Sequence, residues 1–373
     1  MSQPPDLDAY SLKAAAAPEV AAPDLPYQPP MPRNRGARIA LIGAGGISAG
    51  HLDAYRAAGF NVAVIASPTL ANAVRRRDEY FPEAEATDDV AGTLTREDIS
   101  VVDLTPHQAE RVALMETALR AGKHVLSQKP FVLDLDIGER LADLADKKGV
   151  VLAVNQNGRW APHLAWMREA VRAGLIGDVQ SCHVGIHWDH NWIAGTPFDS
   201  LDELILYDFA VHRFDFLASL IGDRATSVYA TTARAKVQKA LPPLLAEALI
   251  EFDGGQAALL FDGAARFGPE DRTVVTGTLG TMTCRGPDPG LQEVVLTTAA
   301  GMARPPLTGS WFKEGFIGAM GALLKSAEDG TQPLNNARDN LDGLALVFAA
   351  VASARRGEPV KPGTVRSLAT ARA

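Results

Sequence analysis

Two polar residues in an apolar run are the clearest candidates for chemistry in this sequence. Residues 201–221 are mostly apolar, and a helix over them would place four polar side chains within about 60° of arc: Asp208, His212, Asp215 and Ser219. A carboxylate one turn before a histidine can fix its tautomer and stabilise the imidazolium. We therefore interpret Asp208 and His212 as a pair for proton transfer at an oxygen. A stripe that faces solvent is the alternative.

A lysine that precedes a proline is the third candidate for chemistry. Lys129 follows a short strand-like run, and Pro130 restricts its backbone to an extended or turn conformation. Open α/β sheets bind ligands at the carboxyl ends of their strands. An ammonium group placed there can stabilise a developing alkoxide, whereas an ordinary surface lysine is the alternative.

Residues 187–192 combine aromatic rings with hydrogen-bonding groups, as sugar pockets do. We predict that His187 and Trp188 contact a substrate, although the tryptophans could instead pack in the interior. His187 and His190 have too few ligand types around them for a metal centre, so we predict no metal site.

A glycine-rich loop directly follows the first strand-like run, and its sequence is Gly-Ala-Gly-Gly-Ile-Ser. In a dinucleotide-binding turn, the first glycine makes the bend and the second admits the pyrophosphate to the backbone of the following helix. Gly43, Gly45, Gly46 and Ile47 are therefore predicted to bind a dinucleotide. A plain structural turn is the alternative, since glycine often joins a strand to a helix.

The acidic residue that usually binds the adenosine ribose is missing. It belongs about 20 residues after the loop, at the end of the second strand, where this sequence has Ser67. Without a carboxylate the site does not exclude a 2′-phosphate, and the arginines from Arg75 to Arg77 lie in the next helix. These arginines could equally form a solvated helix face. The cofactor can therefore be NAD or NADP, with NADP slightly favoured.

The elements that must position these residues fall into two groups. Residues 36–155 alternate strand-like and helical runs, which is typical of a doubly wound parallel sheet, the Rossmann arrangement. Its strand-like runs are residues 38–42, 62–66, 99–104, 124–127 and 150–154. Residues 156–373 contain consecutive strands with tight turns, which predicts an α+β domain with a large, mainly antiparallel sheet. Helices at about 311–328 and 336–355 close the chain.

Composition excludes several classes of function. The 373 residues, 47% hydrophobic and 21% charged, suit two globular cores, and the net charge of −8 argues against nucleic acid or an acidic membrane as a partner. Cys182 and Cys284 are too far apart to suggest a disulfide framework or a zinc site. No run is long enough for a signal peptide or a membrane span, so a cytoplasmic location is expected. The proline-rich arm, residues 1–35, should be extended, either as a flexible tail or laid across a partner subunit.

Four motifs in order resemble the glucose-fructose oxidoreductase, inositol dehydrogenase and rhizopine-catabolism family, called Gfo/Idh/MocA. They are Thr105-Pro106-His107, the run from Ala121 to Pro130 that contains Gln128-Lys129-Pro130, Asn157-x-Arg159-Trp160, and Asp208-x-x-x-His212. The resemblance runs from about residue 38 to residue 360. It departs from the family pattern where Gln128 replaces a common Glu, and where an apolar run rather than glycines precedes Asp208.

The resemblance implies roles for these residues. His212 would be the acid/base, Asp208 would orient it, and Lys129 would contact both the nicotinamide ribose and the reacting oxygen. Further cofactor contacts would come from Thr105, Pro106, His107, Gln128, Asn157 and Arg159, and Trp160 would contact substrate.

The implied activity is hydride transfer between a nicotinamide cofactor and a hydroxyl or ketone carbon of a sugar or cyclitol. Two alternatives stay open: a glycosidase that retains NAD and cleaves by transient oxidation, and a non-catalytic dinucleotide sensor or assembly protein on the same fold. A homodimer or homotetramer formed through the sheet of the second domain is expected, since too few helices cover it.

Overall fold

The dinucleotide domain is built on a parallel sheet of six strands. The structure is a computed structural model that describes residues 17–368. The strands run in the spatial order β3-β2-β1-β4-β5-β6, and their bounds are β1 Ile39–Ile42, β2 Val62–Ala66, β3 Glu85–Thr87, β4 Val101–Leu104, β5 His124–Ser127 and β6 Leu152–Val154. The predicted Rossmann sheet is confirmed. The edge strand β3 was not predicted, because its three residues, Glu-Ala-Thr, carry little strand preference.

Five helices cover the two faces of this sheet: α1 Ser48–Ala58, α2 Leu70–Tyr80, α3 Val90–Thr95, α4 Gln108–Arg120 and α5 Leu135–Lys148. Local sequence explains their ends. The carboxylate of Asp134 accepts hydrogen bonds from the N–H groups of Asp136 and Ile137 and so caps the start of α5. Gly149 ends α5 in the left-handed conformation, with φ of 66°.

The second domain contains a mixed sheet of eight strands in the order β14-β13-β12-β11-β7-β10-β9-β8. Their bounds are β7 Val179–His187, β8 Ala225–Ala233, β9 Leu245–Phe252, β10 Gly255–Asp262, β11 Glu270–Gly277, β12 Gly280–Asp288, β13 Leu291–Thr298 and β14 Gly301–Ala303. Strands β7 and β10 pair in parallel, and the other recorded pairs in this sheet are antiparallel. The prediction of a large, mainly antiparallel sheet is therefore confirmed.

One face of this sheet is buried and the other is open. Along β9, Ala246, Ala248 and Ile250 are buried, whereas the alternating residues Glu247 and Leu249 are exposed. The buried face packs on helices of the same domain, among them α6 Pro162–Arg172 and α7 Val211–Ile221. The open face has no covering element within residues 17–368.

The last two helices connect the domains. Helix α8, Trp311–Asp329, packs on α1, and helix α9, Ala337–Arg356, packs on α5, α7 and β8. The chain therefore returns to the dinucleotide domain after the large sheet. None of the helices in residues 17–368 is long and apolar enough to cross a membrane.

The described part of the proline-rich arm, residues 17–35, runs along its own chain. Met302 donates its N–H to the carbonyl of Pro18, and the N–H of Val20 donates to Met302 in return, both at 2.8 Å. The backbone N–H of Asn34 donates to Glu328 at 2.6 Å. The arm is extended, as expected, and residues of it make contacts within the same chain. The first 16 residues lie outside the described part of the chain.

The predicted helix over residues 201–221 is wrong in its first half. A π-helical turn spans Ile205–Phe209, where the N–H of Ala210 donates to the carbonyl of Ile205 at 2.7 Å, and regular α-helix begins only with α7. The wider turn contains an extra residue, so the 100° spacing assumed for Asp208 and His212 does not hold. Such single wide turns occur frequently at functional sites.

Candidate active site

A cavity of about 480 Å³ lies where the two domains meet. Seven of the residues predicted to act on cofactor or substrate line it: Ile47, Gln128, Lys129, Asn157, Trp188, Asp208 and His212. The first four come from the dinucleotide domain and its exit, and the other three from the second domain. The cavity thus combines the ammonium, carboxylate and imidazole groups with the glycine-rich loop.

Lys129 and Asp208 form an ion pair in this cavity. The Lys129 ammonium donates to Oδ2 of Asp208 at 3.0 Å and to the backbone carbonyl of the same residue at 2.9 Å. The ring of Phe209 lies beneath it, with its centroid 5.9 Å from Nζ. The π turn aims both the carboxylate and the carbonyl of Asp208 at the lysine, so the ammonium is held at one point of the cavity wall.

The expected contact between Asp208 and His212 is absent from the described residues. Asp208 pairs with Lys129 instead, because the π turn rotates its side chain relative to α7. Nδ1 of His212 is buried and has no hydrogen-bond partner within residues 17–368. The histidine is oriented by packing, edge-on to the ring of Trp311 with centroids 5.4 Å apart.

His212 is neutral at physiological pH. Burial, together with repulsion by Lys129 and Arg213, lowers the pKa of His212 well below its usual range. A neutral imidazole can accept a proton, and its Nε2 makes no hydrogen bond within the described part of the chain. This nitrogen is therefore the one available to a ligand in the cavity.

The glycine-rich loop has the shape that a bound dinucleotide requires. Gly43 has a φ of 96°, and a Cβ atom on it would lie 2.7 Å from the hydroxyl oxygen of Thr105. A Cβ atom added to Gly45 or Gly46 would have no heavy atom within 4 Å, so space is open above their backbone. The N–H groups at the start of α1 can therefore meet a pyrophosphate. The residues predicted to bind a dinucleotide at this turn therefore fit its pyrophosphate.

Comparison with protein families decides the identity of the fold and the class of activity. Residues 37–156 match the model of the Gfo/Idh/MocA oxidoreductase family with an NAD-binding Rossmann fold. Residues 164–283 match the model of the Gfo/Idh/MocA C-terminal domain. The chain belongs to the Gfo/Idh/MocA family. It is accordingly an oxidoreductase with an NAD-binding Rossmann domain, and its activity is of the hydride-transfer type.

Relatives cover nearly the whole chain. D-Apiose dehydrogenase of Paraburkholderia graminis is 28% identical over 89% of this chain and 91% of its own length. Inositol 2-dehydrogenase of Rhizobium meliloti is 26% identical, with coverages of 85% and 96%. An oxidoreductase of Agrobacterium radiobacter, solved in complex with NAD+, L-tartaric acid and magnesium, has the same fold at a TM-score of 0.79 and 21% identity, covering 88% of this chain and 98% of its own.

A buried polar network lies behind the residue where this Gfo/Idh/MocA protein has Gln128 in place of glutamate. Nδ1 of His51 lies 2.7 Å from Oδ2 of Asp103, and Nε2 lies 3.1 Å from the side-chain nitrogen of Asn155. Asn155 also donates to Oε1 of Gln128 at 3.1 Å, and that oxygen accepts the backbone N–H of Lys129 at 2.8 Å. The network fixes the amide of Gln128 and the backbone of Lys129. Sequence reasoning missed it because its members come from separate segments of the chain, and His51 lies on an ordinary helix face.

Three of the predicted site residues that do not line the cavity have other contacts in this structure. The guanidinium of Arg159 donates twice to the carboxylate of Asp215, at 2.7 and 2.8 Å, within the protein interior. Trp160 is buried against α8, where a Cβ atom on Gly318 would touch its ring. His187 lies at the end of β7, with Nδ1 3.8 Å from Asp262. Arg159 and Trp160 thus have partners within the protein interior in this structure.

The remaining predicted cofactor ligands surround the carboxyl edge of the parallel sheet. The hydroxyl of Thr105 donates to the carbonyls of Ile42 and Gly43, at 3.0 and 2.9 Å, and so supports the loop. Pro106 and the exposed His107 follow it at the start of α4, and Ser67 directly follows β2, beside the exposed Pro68.

Several cavity residues were not predicted from the sequence. Aromatic residues among them include Phe198, Phe209, Trp311 and Phe312. Nε1 of Trp311 donates to Oδ1 of Asn157 at 3.0 Å, which fixes the side chain of that predicted ligand. These residues come from the loop before α7 and from the start of α8. Aromatic residues are so common in protein cores that their spacing alone does not mark a site.

Proposed function

We propose that the protein oxidises a hydroxyl of a sugar or cyclitol, or reduces the corresponding ketone, with NAD or NADP as the hydride carrier. The observation that carries this is the meeting of the Lys129 ammonium and the neutral His212 imidazole in one cavity beside an open glycine-rich loop. Two relatives are named as dehydrogenases of D-apiose and of inositol, which supports a polyhydroxylated substrate.

The residues divide the chemistry between them. When bound, the nicotinamide ring supplies the acceptor for the hydride that leaves the substrate carbon. Nε2 of His212 takes the proton of the hydroxyl as the carbonyl forms, and returns it in the reverse direction. Lys129 donates a hydrogen bond to the same oxygen, and its charge stabilises the alkoxide that develops. Asp208 keeps the ammonium in place.

For the cofactor we propose that NADP is accepted as well as NAD, with NADP slightly preferred. Ser67 and the two residues after it, Pro68 and Thr69, bear no carboxylate that would repel a 2′-phosphate. On the neighbouring helix α2, the Arg76 guanidinium donates to the carbonyl of Gly45 at 3.0 Å, which places positive charge at the phosphate loop.

For the assembly we propose a homodimer, or a tetramer built from it, through the open face of the large sheet. Leu249 on this face is 57% exposed, and Tyr229 on the neighbouring strand β8 is exposed beside it. Exposed apolar residues of this kind on a sheet face support an interface with another subunit.

One experiment tests the activity. Absorbance at the nicotinamide band is followed with each cofactor across free sugars, inositols and ketoses. Reduction of NAD or NADP by at least one polyol is expected, and it should disappear in Lys129→Met. Cofactor binding without any hydride transfer would overturn the proposal and favour a dinucleotide sensor. Turnover of a glycoside that needs no added cofactor would instead indicate a redox-assisted glycosidase.

A further inference from the structure

Some polar side chains of the cavity have partners, whereas buried nitrogens of Trp188, His190, His212 and Arg213 have none within residues 17–368. The carboxylate of Asp208 is bound to Lys129, and Oδ1 of Asn157 accepts from Trp311. The guanidinium of Arg213, which also lines the cavity, donates to the carboxylate of Asp271. The greater part of the cavity wall is apolar, so it suits a substrate that carries an apolar group beside its hydroxyls.

Another part of the cavity wall is an aromatic cluster formed by Trp192, Phe198 and Phe209. The ring of Phe209 lies next to the Lys129 ammonium, and the ring of Trp192 meets it edge-on with centroids 6.3 Å apart. Phe198 continues the cluster at 5.9 Å from Trp192. The apolar surface thus begins at the proposed reaction centre and extends to the mouth of the cavity.

Trp192 is 57% exposed although the loop that carries it is well anchored. The carboxylate of Asp199 accepts the N–H groups of Gly195 and Leu241, at 2.9 and 2.7 Å. The side chain of Asn191 accepts the N–H of Lys239 at 2.6 Å. The exposure of Trp192 is therefore built into the loop conformation, and a preformed exposed aromatic surface usually marks a binding site.

The proposed cofactor does not account for this surface. Ile47 and Phe312 are the exposed apolar residues on the dinucleotide side, on the glycine-rich loop and on α8, and a nicotinamide ring would cover them. Trp192 belongs to the second domain, on the side of the cavity that holds Asp208. A flat, apolar group of the substrate would cover it.

We propose that the substrate carries an aryl substituent on its hydroxylated ring, as an aryl glycoside does. This inference rests on the proposed function. The aryl group stacks on Trp192 and Phe209, and the hydroxyl-bearing carbon then lies against Lys129 and His212. The aryl group of such a substrate matches the largely apolar wall of the cavity.

The test compares phenyl and methyl glycosides of the same sugar. Pairs of both anomers of glucose, galactose, mannose and xylose are titrated by calorimetry into the enzyme saturated with NAD+. At least one phenyl glycoside should bind tenfold or more tightly than its methyl partner. Trp192→Ala should reduce that ratio to twofold or less, and Trp192→Phe should keep most of it. The control is Phe267→Ala, since Phe267 is 86% exposed but does not line the cavity.

Two results would overturn the inference: equal binding of the phenyl and methyl partners in every pair, or a phenyl advantage that survives Trp192→Ala. Hydride transfer is measured in parallel with free sugars and inositols. Transfer without a phenyl advantage removes only the inference on the aryl group. A Trp192-dependent phenyl advantage without transfer from any substrate removes only the proposed function.

Discussion

The ammonium nitrogen of Lys129 lies 3.0 Å from Oδ2 of Asp208, a residue 79 positions later in the chain. Lys129 closely follows β5 of the dinucleotide domain, and Asp208 lies in the π turn that precedes α7 of the second domain. The ion pair therefore joins the domains at the point where cofactor and substrate would meet. Both side chains are largely shielded from water, which strengthens their attraction.

Asp208→Asn should impair catalysis by releasing the lysine. The amide keeps the size of the side chain but removes the charge that holds the ammonium, so kcat should fall by about tenfold or more, in the range of general acid–base and electrostatic effects. Cofactor affinity should change little. Steady-state kinetics and calorimetry measure the two quantities. If kcat were unchanged, the carboxylate would have no part in positioning Lys129.

His212→Ala should reduce turnover by about 100-fold or more, because general acid–base catalysis typically contributes 10² to 10⁴. Cofactor affinity should be almost unchanged. The matched control is His163→Gln, since His163 also lies near the Trp311 ring but is buried and does not line the cavity. Retention of full activity in His212→Ala would remove this histidine from the mechanism.

The free energy of unfolding should fall in acid through the buried histidines. Burial lowers the pKa of His163 and His212 well below the usual range, and that of His190 to about 4. Between these values and about 6.5 the unfolded chain binds protons that the folded chain does not. Their stabilising effect is complete above pH ~6.5 and is lost as the pH falls, by ~1.4 kcal/mol per pH unit for each histidine.

Urea unfolding at several pH values between about 4.5 and 7.5 measures this effect. The matched variant is His163→Gln, which has no titrating group at that position. Its free energy of unfolding should depend less on pH than that of the wild type, so the difference between the two proteins should shrink in acid. Parallel curves for the two proteins would show that His163 is not held neutral by the fold.

Ser67→Asp should shift cofactor preference toward NAD. A carboxylate at the end of β2 can accept the ribose 2′-hydroxyl and repels a 2′-phosphate, and a repulsion of ~1.4 kcal/mol corresponds to about a tenfold change in relative affinity. Ser67→Asn is the uncharged control and should leave the ratio of affinities almost unchanged. Equal ratios in the Asp variant and the wild type would mean that residue 67 does not face the ribose.

The wild-type protein should scatter light at micromolar concentration as at least twice its chain mass of 39.6 kDa. Leu249→Arg should lower the mass toward that of one chain, because it places a charge on the open sheet face. Val237→Arg is the control, since Val237 is 76% exposed but lies in the loop between β8 and β9. A wild-type monomer would show that the sheet face is not an interface.

Local sequence alone was enough for the elements that depend on neighbours in the chain. The buried strands β1 and β2 are short apolar runs, Gly149 ends a helix, and the glycine-rich loop must bend where it does because Gly43 adopts a positive φ. These features follow from side-chain polarity and backbone conformation within a few residues. The positions of Lys129 and the loop at strand ends follow from them.

Only the tertiary structure decided which polar groups meet. Asp208 lies four residues before His212, so the sequence favours their contact. The π turn instead directs the carboxylate of Asp208 toward Lys129, and the two form an ion pair. The motif around Arg159 predicts a cofactor ligand, but its guanidinium forms an ion pair with the carboxylate of Asp215, 56 residues later in the chain. The aromatic cluster around Trp192 forms only when the loop before α7 folds over the cavity. Such pairings depend on packing between distant segments, and no local pattern of residues encodes the distance between them.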